Sequence, residues 1–306
     1  MASYGFAKDL DHPSIMEVAD RVAWKVGDIF GGRRFDASKP IVPTSWVGTE
    51  ALAFLEPDEQ LALNHCRAFS YVHLLGNYEE FIPLHLGDAM DKSGDDDELQ
   101  ARSLVRFGQE ERKHQALFRR AESVLEESCG HPFDRYFDRE KTRVKELTTA
   151  ILQRPSLSRF LILLALEWGT QRHYVESVCA PSADGLYVDV LKAHWVEEAQ
   201  HTKWDTLEIA RLAAASSVDE RSLAFDHVLG IGELIDATFT GQVESEIETV
   251  RRVSGRVFTD EEVTVLRAAL HRSMSAIITG VALTHPSFAK VARELSEEAA
   301  ARLRIA

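Results

Sequence analysis

Cysteine is scarce. Cys66, Cys129 and Cys179 are the only three in 306 residues, and they lie far apart with no Cys-x-x-Cys pair. That spacing removes zinc ribbons, thioredoxin-type redox chemistry and a disulfide framework; all three are expected to be reduced, buried and structural. Basic residues are outnumbered, and the formal charge of -14 argues against nucleic acid or an anionic membrane surface as a partner, since both demand a basic face. Long apolar runs are missing: the longest, Phe160 to Leu166, is too short to cross a bilayer. The opening residues MASYGFAKDLDHPS hold no apolar stretch of the secretory kind, so a soluble, cytoplasmic protein is expected. Alternating strand patterns are almost absent, and there is no fixed-period repeat or low-complexity tail.

What remains is helix. With 45% apolar residues the chain has ample material for a core, and helical periodicity runs from about Ser14 onward. The pattern predicts an all-α protein: a first helix near Ser14 to Ile29, an irregular wrapping stretch (GGRRFDASKPIVPTSW), and a long helix from Pro57 to about Ala89. A solvated acidic turn around Asp95 to Glu98 follows. Further helices are expected near Leu99 to Glu127, Arg139 to Gln153, beyond Pro155 to before Pro181, and Asp184 to Ala214. Three more, near Val218 to Val243, Asp260 to Thr279 and Pro286 to Arg304, complete the chain. We divide it into an N-terminal helix and wrapping segment (1–56), a central bundle (57–215) and C-terminal helices packed on that bundle (216–306), within one compact domain.

The spacing Glu-x-x-His occurs at Glu111/His114 and again at Glu198/His201, and each copy puts a carboxylate and an imidazole on one helical face. Both faces are apolar otherwise: Leu104, Phe107, Phe118 and Leu125 share the first. On the preceding helix Glu79 interrupts the stripe Leu61, Val72, Leu75, Ile82, Leu86, while its neighbour Glu80 points about 100° away. Glu167 closes the run FLILLALE with no basic residue in the four positions before it; a bare carboxylate buried there costs several kcal/mol unless a proton or a cation neutralises it. In the segment HWVEEAQH, His194, Glu198 and His201 fall within about 60° of one another and converge on one point. Glu110 and Glu197 sit one residue off these faces, and Glu197 is expected at the surface. The inward set is therefore Glu79, Glu111, His114, Glu167, His194, Glu198 and His201. Its four carboxylates balance two divalent ions, and oxygen donors mixed with imidazole, without thiolate, suit iron or manganese.

The order Glu, Glu-x-x-His, Glu, Glu-x-x-His on successive helices is similar to the ferritin-like diiron carboxylate superfamily. The extra His194, giving His-x-x-x-Glu-x-x-His, together with Tyr78-Glu79-Glu80-Phe81-Ile82, resembles the narrower p-aminobenzoate N-oxygenase family over residues 57 to 215. The resemblance implies a ferritin-like four-helix bundle carrying extra N- and C-terminal helices. It implies two iron ions, or manganese or a mixed iron and manganese pair, held by the seven residues above, with dioxygen as co-substrate. It further implies a small organic substrate such as an arylamine, an electron donor, and a homodimer. Hydroxylation or desaturation is equally compatible with such ligands, and a ferritin-like storage or sensing protein without an organic substrate is the rival reading. A metal-free interaction protein requires the whole inward set to be coincidence. Tyr71, two turns before Glu79, is a candidate hydrogen-bond donor behind the ligands, and Arg172 and His173 are candidates to meet a substrate carboxylate or to form a surface turn. Aromatics near the motifs (Phe107, Trp168, Tyr174, Trp195, Trp204) are expected to be core before they are cavity wall.

Overall fold

A computed structural model describes residues 4–48, 51–92, 98–180 and 182–303. Among the described residues the chain is all-α, without a strand. Two short helices, α1 (His12–Val22) and α2 (Val26–Phe30), lead into an irregular segment. That segment is pinned to the next helix by Asn64, whose Oδ1 accepts from the backbone N–H groups of Ile41 and Val42 and whose Nδ2 donates to the Val42 carbonyl at 2.8 Å. Helix α3 (Pro57–Tyr78) starts on Pro57 behind a reciprocal cap between Glu56 and Glu59, where proline's missing N–H costs nothing. Helices α4 (Ile82–Lys92) and α5 (Glu98–Cys129) follow, and Gly130 ends α5 with φ of 71°, a left-handed turn that favours glycine.

Helices α6 (Asp138–Leu152), α7 (Ser156–His173) and α8 (Gly185–Ala214) come next. The Asp184 side chain caps α8 by accepting from the Leu186 and Tyr187 N–H groups. Helices α9 (Val218–Ser254), α10 (Asp260–Ala282), α11 (Pro286–Leu295) and α12 (Glu297–Arg302) close the chain. Ser217 with Glu220 and Thr259 with Glu262 form capping boxes at the starts of α9 and α10, each satisfying N–H groups that the helix itself leaves unpaired.

Helix α5 packs on α3 and α8, and α8 packs on α7, so the motif-bearing helices surround one centre. The wrapping segment and the C-terminal helices are part of the same packing: Val47, Leu52 and Leu55 join Leu63 of α3, Val243 and Ile247 of α9, and Leu266 and Leu270 of α10 in one apolar cluster. No helix among the described residues is long and apolar enough to cross a membrane.

Several boundaries differ from the sequence expectation, and each has a local cause. The first helix breaks at Ala23 to Lys25, where Trp24 leaves the helix to stack on His114. The long helix expected through Ala89 is interrupted by a tight 3-10 turn over Glu79–Phe81. Pro83 forces that break, because its ring clashes with the carbonyl four residues earlier and it has no N–H to donate. The released Glu79 carbonyl accepts from Gln115 Nε2 at 3.0 Å. Helix α9 runs to Ser254 rather than Val243, and the last helix divides at Ser296, whose side chain caps α12. The acidic turn expected over 95–98 lies outside the described residues except for Glu98, which is exposed and opens α5. Only Cys66 is fully buried; Cys129 is half-buried and Cys179 exposed, against the expectation that all three are core.

Candidate metal centre

Pro83 and the turn it enforces set Glu79 at the end of α3, where its side chain is buried and meets His194 Nε2 at 2.8 Å. From α5, Glu111 and His114 enter the same centre one helical turn apart. From α8, Glu198 and His201 do the same, and Glu198 takes the middle position. Its Oε1 lies 3.2 Å from His114 Nδ1, 3.1 Å from His194 Nε2 and 3.2 Å from His201 Nδ1. His201 Nδ1 also meets Glu111 Oε1 at 2.7 Å and approaches Glu167 Oε1 of α7 at 4.0 Å. Glu80, by contrast, is exposed, as its angular position predicts.

The donors form two groups with geometry suited to a cation. One is Glu79, His114, His194 and Glu198; the other is Glu111, His114, Glu198 and His201. Glu198 and His114 belong to both; the Glu198 carboxylate can bridge two ions, whereas the one inward nitrogen of His114 serves a single ion, and the six residues together can hold a dinuclear site. Oε2 of Glu111 and Oε2 of Glu79 are buried without a hydrogen-bond partner, and the oxygens of Glu167 have none beyond the neighbouring Asp205 carboxyl. Buried polar atoms left this way are costly; two divalent cations in these groups would neutralise Glu79, Glu111 and Glu198, while Glu167 stands outside both groups.

A further layer of charge lies behind the donors, and here the sequence expectation is corrected. Glu197 is not a surface residue: it is fully buried, and its Oε2 accepts from His114 Nε2 at 3.0 Å while its other oxygen is bound by Lys113. Glu110, one residue off the inward face of α5, is buried too. It accepts from His201 Nε2 at 3.1 Å and from Arg106 Nε at 2.7 Å. The arrangement is reciprocal, because the first glutamate of each Glu-Glu-x-x-His segment holds the histidine of the other. With Nε2 engaged, each ring presents Nδ1 to the centre, and an acceptor behind a ligating imidazole fixes its tautomer and raises its basicity. Lys113 and Arg106 neutralise these outer carboxylates, which leaves the inner four for metal. The signal for this layer was the doubled glutamate in both segments, EERKH and EEAQH.

Asp205 is a second residue that sequence reasoning passed over, although it continues the α8 face at His194, Glu198, His201 and then four residues on. It is fully buried beside Glu167, and its oxygens have no donor beyond that neighbouring carboxyl. Burial pushes the Asp205 carboxyl well above its ordinary value. Burial and then the charge of Asp205 push Glu167 up as well, so without metal the pair shares a proton.

The remaining titrations follow from the same packing. Burial raises Glu79 to about 7, against the pull of His194. Burial depresses the imidazoles, but the carboxylates around them outweigh it: Glu197 and Glu198 hold His114 at about 9, and Glu198 and Glu79 hold His194 at about 10. His201 is raised in the same way, and Glu198 is held well below the usual range because His194 and His201 overcome its burial. Without metal the centre is thus a network of imidazolium and carboxylate.

One side of the cluster opens into a small cavity of about 50 Å³, walled by Glu79, Glu167, His194 and Glu198 together with Tyr71, Leu75, Leu163, Thr170 and His173. Tyr71 does not bond a metal-facing donor; its hydroxyl donates to His173 Nδ1 at 2.7 Å, and Trp46 packs on both rings. Burial lowers His173 to about 3, so the ring is neutral. Arg172 turns away from the cavity to Glu176 and Thr284. Of the aromatics near the motifs, Phe107 and Trp204 are core residues packed against His201, and Trp168 stacks on His285.

No family model and no curated protein matches this chain. An all-helical fold with a buried glutamate and histidine cluster is compatible with the ferritin-like dinuclear arrangement, and the cluster suits metal binding on its own geometry.

Proposed function

We propose that the protein is a dinuclear non-haem iron oxygenase that activates dioxygen to oxidise a small organic molecule. The observation that carries this reading is the pair of donor groups sharing His114 and Glu198, open on one side to a cavity whose other wall is largely apolar. Glu79, Glu111, Glu167, Glu198, His114, His194 and His201 hold the metals, and Glu110 and Glu197 orient the two reciprocal imidazoles. Two bound irons supply the reduction of dioxygen and its delivery to substrate, chemistry that belongs to the cofactor while the protein sets geometry, charge and dryness. Oxygen donors mixed with imidazole favour iron, with manganese or a mixed pair as the nearest alternatives. Tyr71 and neutral His173 line the cavity as a hydrogen-bonded pair able to hold a proton near the donors without adding charge.

The resemblance to p-aminobenzoate N-oxygenases favours an arylamine substrate and N-oxygenation, with electrons from a separate donor and a homodimeric assembly. Hydroxylation or desaturation uses the same ligands, because fold and ligand set do not choose the reaction. Storage or sensing of metal is the competing class; storage needs only a compact bundle, and the wrapping segment and C-terminal helices packed on this one support the enzyme over it. The test is to load the protein anaerobically with ferrous iron, admit oxygen, and follow the visible spectrum with and without a panel of arylamines. A transient absorption whose decay is hastened by one amine, with an oxidised product, supports the proposal. Steady deposition of ferric iron beyond the buried site, indifferent to every amine, overturns it in favour of storage.

A further inference from the structure

The cavity at the donors has room for about 50 Å³, enough for dioxygen or a few waters but far below the 300 Å³ or so at which organic ligands are usually held. A much larger space lies next to it. Between α7 and α9 is a cleft of about 570 Å³, walled by Ile162, Ala165 and Leu166 on one side and Val228, Ile231 and Ile235 on the other. A small void of about 10 Å³ adjoins both: it shares Tyr78 and Phe81 with the donor cavity and Ile235 with the cleft. Leu166, the residue before Glu167, forms part of the wall of all three spaces.

Gly232 supplies a separate argument. It lies inside the 37-residue helix α9, where glycine costs about 1 kcal/mol relative to alanine. Its backbone is not left-handed, and a Cβ built on it meets nothing within 4 Å. Neither conformation nor helix packing requires glycine there; what its missing side chain leaves is open volume at the cleft wall. The ionisable residues lining the cleft, among those described, are Glu233 and Asp236, and no lysine or arginine lines it. Asp236 accepts from Ser275 at 3.1 Å and has His271 Nε2 at 3.6 Å, yet its side chain is half exposed. An apolar floor with carboxylates at the rim matches a molecule that is apolar along its length and cationic at one end.

We propose that the α7/α9 cleft docks an aromatic or aliphatic molecule bearing a protonated amine, and that Leu166 is the gate past which its apolar end reaches the donor cavity. The inner half of this proposal rests on the oxygenase reading, with hydroxylation or desaturation of the apolar end rather than N-oxygenation as the reaction; the docking itself does not. The test is calorimetric titration of the full-length protein as purified, with its metal content recorded, at pH 7.5 against benzylamine, benzyl alcohol and benzoate. Two variants accompany it: Gly232→Trp, which fills the cleft, and the rim double variant Glu233→Gln/Asp236→Asn, which folds even if the tryptophan does not, as circular dichroism verifies. The expected result is saturable benzylamine binding, at least tenfold tighter than benzyl alcohol, undetectable for benzoate, and weakened at least tenfold in each folded variant. In protein loaded with cobalt(II), benzylamine should also shift the visible bands of the wild type but not of Gly232→Trp. Absence of saturable benzylamine binding, equal binding of the three probes, or indifference to both variants overturns the docking site. Dimerisation of the wild type that Gly232→Trp abolishes overturns it in favour of a second copy of the chain. Unmoved cobalt bands with normal calorimetry overturn the gate alone, and failure to load cobalt counts against the metal reading while calorimetry still decides the cleft.

Discussion

Replacing Glu197 by alanine isolates what the outer carboxylates contribute. In the wild type Glu197 accepts from His114 Nε2 at 3.0 Å and also holds Lys113. Losing the acceptor frees the imidazole to turn, and carboxylates behind ligating histidines are worth about 10–100-fold in metal affinity, about 1.4–2.7 kcal/mol. A second effect runs the other way. Glu197 is a principal reason that His114 titrates at about 9 despite its burial. At pH 7 a proton held that tightly handicaps the metal by about a hundredfold, close to 3 kcal/mol. Glu197→Ala sheds part of that handicap, so its net deficit is small at pH 6.5 and grows toward the full 10–100-fold by pH 8.5. Anaerobic manganese(II) titration against a competing chelator at the two pH values measures it, with circular dichroism to verify the fold. Glu197→Gln, which keeps an acceptor for His114 but drops the charge, should fall between. A variant within twofold of wild type at pH 8.5, or a deficit that widens as pH falls, refutes the reasoning.

Glu167→Ala should leave a helical protein that no longer holds two metals; full metal content by plasma emission removes Glu167 from the ligand set. His194→Ala should alter one of the two metals selectively, seen as a change in half of the cobalt(II) spectrum, and an unchanged spectrum contradicts its assignment. The raised imidazoles also predict a pH trend. Their ion pairs stabilise the metal-free fold fully below the unfolded histidine value of about 6.5, and that stability is lost as pH climbs through about 9 for His114 and about 10 for His194. Metal-loaded protein carries no such protons, so the gap in melting temperature between loaded and metal-free forms should widen from pH 7 to pH 10; a constant gap counts against the shifts. Far from the centre, Arg67 of α3 and Glu246 of α9 form a fully buried ion pair at 2.7 Å. Glu246→Ala should cost about 3–5 kcal/mol in urea unfolding by stranding the guanidinium, and Arg67→Met/Glu246→Leu much less; equal losses would show that the pair itself stabilises.

The helical class and the burial of the motif residues were legible because both follow from local periodicity. A glutamate amid Leu, Ile and Phe at helical spacing points where they point, and every residue of the inward set is buried at one centre. The error over Glu197 shows the limit of that rule. An angular offset of about 100° leads to solvent only when a helix has neighbours on one side. Helix α8 is packed by α1, α5 and α7, so its flank is interior as well. Pro83 was readable as a break, and the stripe running through Ile82 and Leu86 concealed it, since the chain resumes helix on the same face after Glu79–Phe81. Asp205 was visible in the spacing of α8 but lies beyond the motif. The union of α3 with α9 through Arg67 and Glu246, and the cleft between α7 and α9, depend on contacts between segments distant in sequence, which periodicity does not encode.

The central claim is that two metals share one cluster centred on Glu198. Anaerobic titration of metal-free protein with ferrous iron, counting iron retained per chain after gel filtration, tests it most directly. The account predicts two irons per chain, falling below two in Glu167→Ala. Retention of none or of only one iron by the wild type contradicts it.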